Sequence, residues 1–250
     1  MSETTDVKKM EASTSVEAAR IRTGEVGVPY LRAQGSWIQN EMRRELAAPY
    51  NLITYDKMRT DATVGAALGT AEAFLTKALV NAKFVTNSKN PKAKEFCDYL
   101  NWNLKNLKEV SWYESCVNIL SYLQYGFSWL EKVYEKNTST KYSQFPWKLK
   151  KLAPRAQQSV NEWKFDDENR NLVGIKQYPA SSLNVGYTHT LGLSMNPKDY
   201  IKRNKFMLFS WDSKNQSPLG TSPLNACYRA WKEKTLVESM EVSGVVKGLG

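Results

Sequence analysis

Beyond residue 60 the apolar positions of this chain form three helical stripes, then alternate, then return to helical spacing. That order predicts helices, a sheet and a closing helix. Asp61 is a natural N-cap. Val64, Ala67, Leu68, Ala71, Phe74, Leu75 and Ala78 follow at i, i+3, i+4 and i+7 spacing, which predicts a helix to about Asn81 with this stripe in the core. Asn90 and Pro91 open a second helix, with Ala93, Phe96, Cys97, Leu100, Leu104 and Leu107 on one side. Ser111 and Glu114 have the spacing of a capping box. Tyr113, Cys116, Val117, Leu120 and Leu123 then carry a third buried face to Gly126, a helix terminator. From Gly126 the period becomes two: Phe127, Trp129 and Val133 lie on one side, Ser128 and Lys132 on the other. Further strands are predicted at 147–152, 160–165, 172–177 and 205–211, joined by polar turns such as DDENRN.

The stretch 218–234, PLGTSPLNACYRAWKEK, pairs a tight turn with a capped helix. Gly220 is expected at positive φ, Ser222 at the N-cap and Pro223 at the first helical position. Leu224, Cys227, Tyr228 and Trp231 follow at helical spacing, in a helix expected from Ser222 to about Val242. The fold class is therefore α+β, with amphipathic helices, an antiparallel sheet and a long C-terminal helix. Residues 1–50, rich in Ser, Thr, Glu and Ala and broken by Gly and Pro, read as a flexible arm that orders by docking on a partner. Residues 51–221 read as the α+β domain and 222–250 as the closing helix.

Composition narrows the function. The chain has 250 residues, 42% of them hydrophobic, with a net charge of +10, which suits a globular protein attracted to polyanions. The arm carries seven acidic and seven basic side chains, so the excess lies downstream. It is densest where Lys141, Lys148, Lys150, Lys151 and Arg155 have no acidic neighbour in sequence, and again around Lys198, Lys202, Arg203 and Lys205. Lys148, Lys150, Lys151, Arg155, Lys202 and Arg203 are thus the candidate polyanion or partner contacts. Phe145 and Trp147, interleaved with the first run, are able to stack on bases. Strict alternation instead turns Trp147 and Leu149 to the core and Lys148 and Lys150 to water, and favours that arrangement.

Catalysis finds little support. His189 is the one histidine and sits in a polar loop, so it has no imidazole partner for metal or base chemistry. The phosphate-cradling GxxxxGK[ST] loop is missing. Asp166, Asp167 and Glu168 are the one acidic cluster fit for a metal-nuclease reading, yet adjacent residues of a hairpin diverge, and these are ordinary turn residues. Glu131, among strand aromatics, is expected in a salt bridge. Cys97, Cys116 and Cys227 show neither zinc nor thioredoxin spacing. All three are expected as buried, reduced thiols on apolar helix sides, in a cytoplasmic or intravirion setting. The first residues lack the apolar core of a signal peptide, and no run approaches the length of a membrane span. No catalytic, cofactor or metal residues are expected.

Three segments, in this order, resemble the portal proteins of tailed bacteriophages of the Mu-like family. YDKMRTDATVGAAL supplies Tyr55, Met58, Asp61 and Val64 of a first wing helix. YGFSWLEKVY supplies Gly126, Trp129 and Glu131 of a glycine-aromatic-glutamate signature. PLGTSPLNACYRAWKEK supplies Gly220 and Trp231. The likeness runs from about Tyr55 to Lys234. It implies a portal wing-like α+β domain in a homo-oligomeric ring, a dodecamer, at one capsid vertex. It also implies a channel for double-stranded DNA in packaging and ejection, docking of terminase and of a neck or adaptor protein, and contact with the major capsid or scaffold protein. Neither enzyme activity, cofactor nor membrane is implied; location is the virion, after assembly in the host cytoplasm. Stem, clip and crown are expected beyond Gly250, making this the N-terminal wing half. Composition alone leaves a second function open, a stand-alone basic module binding single-stranded nucleic acid.

Overall fold

The computed structural model describes residues 43–47, 52–166, 171–178 and 200–248, together with two short antiparallel strands, β1 (Arg32–Ala33) and β2 (Trp37–Ile38). The helices are α1 (Ile53–Thr60), α2 (Ala62–Val80), α3 (Pro91–Lys105), α4 (Trp112–Leu120), the single turn α5 (Tyr122–Tyr125) and α6 (Leu224–Gly248). The longer strands are β3 (Phe127–Lys136), β4 (Trp147–Arg155), β5 (Val160–Phe165), β6 (Leu172–Gln177) and β8 (Phe206–Ser210), with the two-residue β7 (Ile201–Lys202). They form two antiparallel sheets, ordered β4-β3-β8 and β5-β6-β7. The chain is therefore α+β as expected, although alternation alone does not divide the strands between two sheets.

Local chemistry sets the helix starts. The Asp61 carboxylate accepts the N–H groups of Thr63 and Val64, Asn90 accepts that of Lys92 ahead of Pro91, and Ser111 and Glu114 complete a capping box. Burial then departs from the predicted stripes. On α2 only the Val64, Leu68, Leu75 and Leu79 side meets the body, while Ala67, Ala71, Phe74 and Ala78 are exposed, Phe74 at 73%. On α4 the buried residues are Ser115, Cys116, Ile119 and Leu120, and Tyr113 and Val117 face water. Ser121 interrupts the predicted continuous third helix, and α5 ends at Gly126 in the left-handed conformation, φ 86°.

Both faces of the β4-β3-β8 sheet are covered. Phe127 and Trp129 of β3 join Trp163, Ile175, Phe206, Tyr55, Met58 and Leu224 in the larger core, whereas Leu130 packs with Ile119 and Leu152 in a smaller one. The Ser128 hydroxyl donates to the Ile119 carbonyl at 2.6 Å, so α4 lies against that second face. Four consecutive buried residues open β3 for this reason, masking the half-buried alternation expected there.

The outer edge of β4 is not open. Tyr99 of α3 donates its hydroxyl to the Trp147 carbonyl. The Asn103 amide donates to the Leu149 carbonyl at 3.0 Å and its oxygen accepts the Leu149 N–H at 2.9 Å. The Lys108 N–H completes the row on the Lys150 carbonyl at 2.7 Å. Tyr99 and Asn103 are consequently the buried side of α3, in place of the predicted Phe96 and Leu100 side, because they supply the polar partners that an edge strand otherwise lacks.

Candidate functional site

The three sequence segments singled out above meet in space. The Gly126 carbonyl accepts the Trp211 N–H at 2.9 Å, and the Trp211 carbonyl accepts the Thr221 N–H at 2.8 Å. Ser222 donates to the Leu123 carbonyl at 2.8 Å and accepts the Leu224 N–H at 3.1 Å, so one hydroxyl caps α6 and ties it to α5. Ser210 donates to the Pro218 carbonyl at 2.8 Å. The end of α5, the end of β8 and the PLGTSP turn are thereby laced backbone to backbone.

Two glycines make this crossing possible. A Cβ on Gly126 would lie 2.5 Å from the Gly220 carbonyl oxygen, and the residue is already at positive φ. A Cβ on Gly220 would strike the carbonyl oxygens of Trp211 and Gly126 and come within 2.6 Å of the Trp211 nitrogen. Gly220 is not at positive φ, contrary to expectation. Its requirement is room for two passing backbones, a demand that no single turn signature reveals.

The remaining motif residues surround the junction. Tyr55 is buried in the larger core. Trp129 is 1% exposed and meets Phe206 edge to face, with centroids 5.9 Å apart; its indole N–H finds no partner among the described residues. Asp61 pairs with Lys234 of α6 at 2.6 Å, and that contact, with the helix N–H groups, holds its carboxyl below the usual range. Glu131 receives Arg155 at 2.5 Å across the β3–β4 ladder. Trp231 is partly buried, packs on the larger core and lies 6.1 Å from Tyr228.

Beneath the junction runs a polar network that sequence reasoning missed. Asp56 accepts from the Tyr125 hydroxyl and from Gln124 Nε2 (2.7 Å), and the Gln124 oxygen accepts from Arg59 (2.9 Å), which also grips Glu72 through both of its NH groups. Burial, with the Asp56 carboxylate beside it, pushes the Tyr125 phenol above its ordinary range. These residues are far apart in sequence, and no short motif marks them.

The structure joins the basic run 141–155 to acids from other elements. Lys150 and Lys151 both grip Glu109, which sits at φ 66°, and their hydrogen bonds draw its carboxyl down to about 2. Lys148 and Lys108 share Glu135 at 3.1 and 2.9 Å. Lys148 is buried and its Nζ lies 5.9 Å from the Trp102 ring, whereas Trp147 is 58% exposed. The predicted orientation of this pair is thus reversed. A β-bulge between Val133 and Tyr134, opposite Lys150, shifts the phase of the alternation. Lys202 and Arg203 are exposed, and the Arg203 guanidinium lies over the Phe206 ring, 5.1 Å from its centroid.

Of the cysteines, Cys116 is buried and its thiol pushed up to about 11 by burial; Cys97 is only partly covered and Cys227 is exposed, against the expectation of three buried thiols. Asp166 closes the β5–β6 hairpin by accepting from Asn171. Asp167, Glu168 and His189 lie outside the described residues, as does most of 1–50. Leu46, at its end, is buried in the larger core. Among the described residues no group of three His, Cys, Asp or Glu side chains is placed to hold a metal ion, and no helix is long and apolar enough to cross a membrane.

The family model described as "Portal protein of Mu bacteriophage" matches residues 52–241, more than half of the chain. The chain belongs to this portal family. No curated protein matches it. Family membership makes it a phage portal protein and a component of the capsid, of a family that is structural and not enzymatic. The matched span opens at Leu52 and ends within α6, so the three motif segments and the Gly126–Gly220 crossing all fall inside it. In this portal domain they form one continuous structural unit.

Proposed function

We propose that this chain is the wing portion of a portal that assembles as a closed ring, a dodecamer, at one capsid vertex. The ring encloses the channel for packaging and ejection of double-stranded DNA, and docks the terminase and later the neck or adaptor protein. The observation that carries this reading is the match over residues 52–241, whose motif segments converge on one close-packed junction. A close-packed junction suits a part whose work is geometry, since a ring closes only if every copy presents its neighbours at a fixed angle. On this reading, residues 1–50 reach a neighbouring subunit, residues 222–250 lead toward a stem, and assembly takes place in the host cytoplasm.

Of the candidate polyanion or partner contacts, Lys202 and Arg203 are the more available, because Lys148, Lys150, Lys151 and Arg155 already hold carboxylates. Exposed charges of this kind steer partners at low ionic strength and fade as salt rises. Negative-stain electron microscopy of the complete gene product, with native mass on the same sample, tests the proposal. Rings with a central channel and a single stoichiometry are expected. A uniform monomer from the complete, folded product overturns it, and salt-sensitive single-strand binding by that monomer establishes the alternative module.

A further inference from the structure

One end of the β4-β3-β8 sheet carries two uncovered aromatic side chains among lysines that hold no carboxylate. On the face that α4 covers, Leu130 and Leu152 are buried with Ile119, and the β3–β4 ladder then runs on past that cover. Along β3 the same face continues with Lys132, Tyr134 and Lys136, because successive side chains alternate. Across the ladder Tyr134 pairs with Leu149 and Lys136 with Trp147. Tyr134 is 46% and Trp147 58% exposed, and neither meets another aromatic ring among the described residues. Lys205, just ahead of β8, brings its Nζ to 5.9 Å from the Tyr134 centroid.

The bulge that turns Lys148 inward is what turns Trp147 out. It also separates two kinds of lysine. Lys148, Lys150 and Lys151 are spent on Glu135 and Glu109, whereas Lys132, Lys136 and Lys205 form no ion pair among the described residues. Glu131 and Glu135 of the same strand lie on its other face, held by Arg155 and by Lys108 and Lys148. The platform is fixed: Tyr99 donates to the Trp147 carbonyl, and the Asn137 N–H donates to that of Pro146 at 2.9 Å.

Tyr134 and Trp147 are diagonal neighbours across the ladder, about 7–8 Å apart at the backbone. That is too far for them to stack on each other and close enough to take successive bases of one strand. A duplex offers a protein only base edges and phosphates, and an acidic peptide would use the lysines but leave the aromatic faces in water. A sheet face with exposed aromatics beside free cations suits unpaired bases on a phosphate backbone.

We propose that this face binds single-stranded nucleic acid, with bases stacked on Trp147 and Tyr134 and phosphates on Lys132, Lys136 and Lys205. The site lies within one chain, so it does not depend on closure of a ring.

Fluorescence anisotropy of a labelled oligothymidylate with the complete product, at several salt concentrations, tests the proposal. Trp147→Ala and Tyr134→Ala are each expected to weaken binding by about 5- to 100-fold, while Trp147→Phe keeps most of it. Changing Lys132, Lys136 and Lys205 together to Gln is expected to flatten the slope of log K against log salt by about 2. Both aromatic side chains are exposed, so these variants are expected to melt with the parent. Absence of single-strand binding overturns the inference, as does binding that Trp147→Ala and Tyr134→Ala leave unchanged. Displacement of the oligothymidylate by duplex or polyglutamate as readily as by unlabelled single strand overturns it too. Electron microscopy of the same sample keeps the portal reading apart: closed rings that bind no single strand overturn the inference alone, and a monomer that binds through Trp147 and Tyr134 supports it and overturns the ring.

Discussion

Gly220 and Gly244 have the same side chain and opposite consequences. Gly220 is wedged between the Trp211 and Gly126 backbones, whereas nothing lies within 4 Å of a Cβ at Gly244. Gly220→Ala must push two backbones apart and is expected to cost about 2–3 kcal/mol, a fall in Tm of roughly 5–10 °C for a chain of this size. Gly244→Ala removes backbone freedom from an exposed helix interior and is expected to stabilise by about 0.5–1 kcal/mol. Differential scanning calorimetry of both variants checks the contrast. A Gly220→Ala protein that melts with the parent would mean the crossing is looser than its geometry. In sequence both residues read simply as glycine, one in a turn and one near a helix end.

At the scale of elements, caps are legible in the sequence and faces are not. Asp61, Asn90 and Ser111 begin their helices as their local chemistry requires. Which stripe is buried depends on what lies opposite, so periodicity places Tyr113 and Phe74 inside although both face water, and it leaves the Tyr99–Asn103 edge cover unseen. The bulge opposite Lys150 likewise changes the fate of the whole basic run. Its consequence is measurable through Glu109, which Lys150 and Lys151 hold well below the unfolded carboxylate value. A depressed folded value contributes stability that is complete above about pH 4.5 and is lost as pH falls through about 2. Glu109→Gln is therefore expected to lower Tm at neutral pH, with the gap to the parent closing across that acid window. A gap that stays constant with pH would place the effect elsewhere than in the carboxylate.

For the whole molecule, the exposed stripe Ala67, Ala71, Phe74 and Ala78 distinguishes folding from assembly. Phe74→Asp is expected to change the stability of the isolated chain by no more than about 0.5 kcal/mol, because the side chain is 73% exposed. Sedimentation velocity is expected to show weakened association of the same variant. A core-sized loss of Tm would instead place Phe74 inside the folded chain. By itself the sequence determined the helix starts, the positions of the main strands, the α+β class and the order of segments that marks the portal family, because each rests on local backbone chemistry or on periodicity within one element. Only the tertiary structure decided which helix faces are buried, which acids neutralise Lys148 to Arg155, that Gly220 is a crossing, and that α2 and α6 flank a groove. Those depend on residues far apart in the chain, which local spacing cannot bring together.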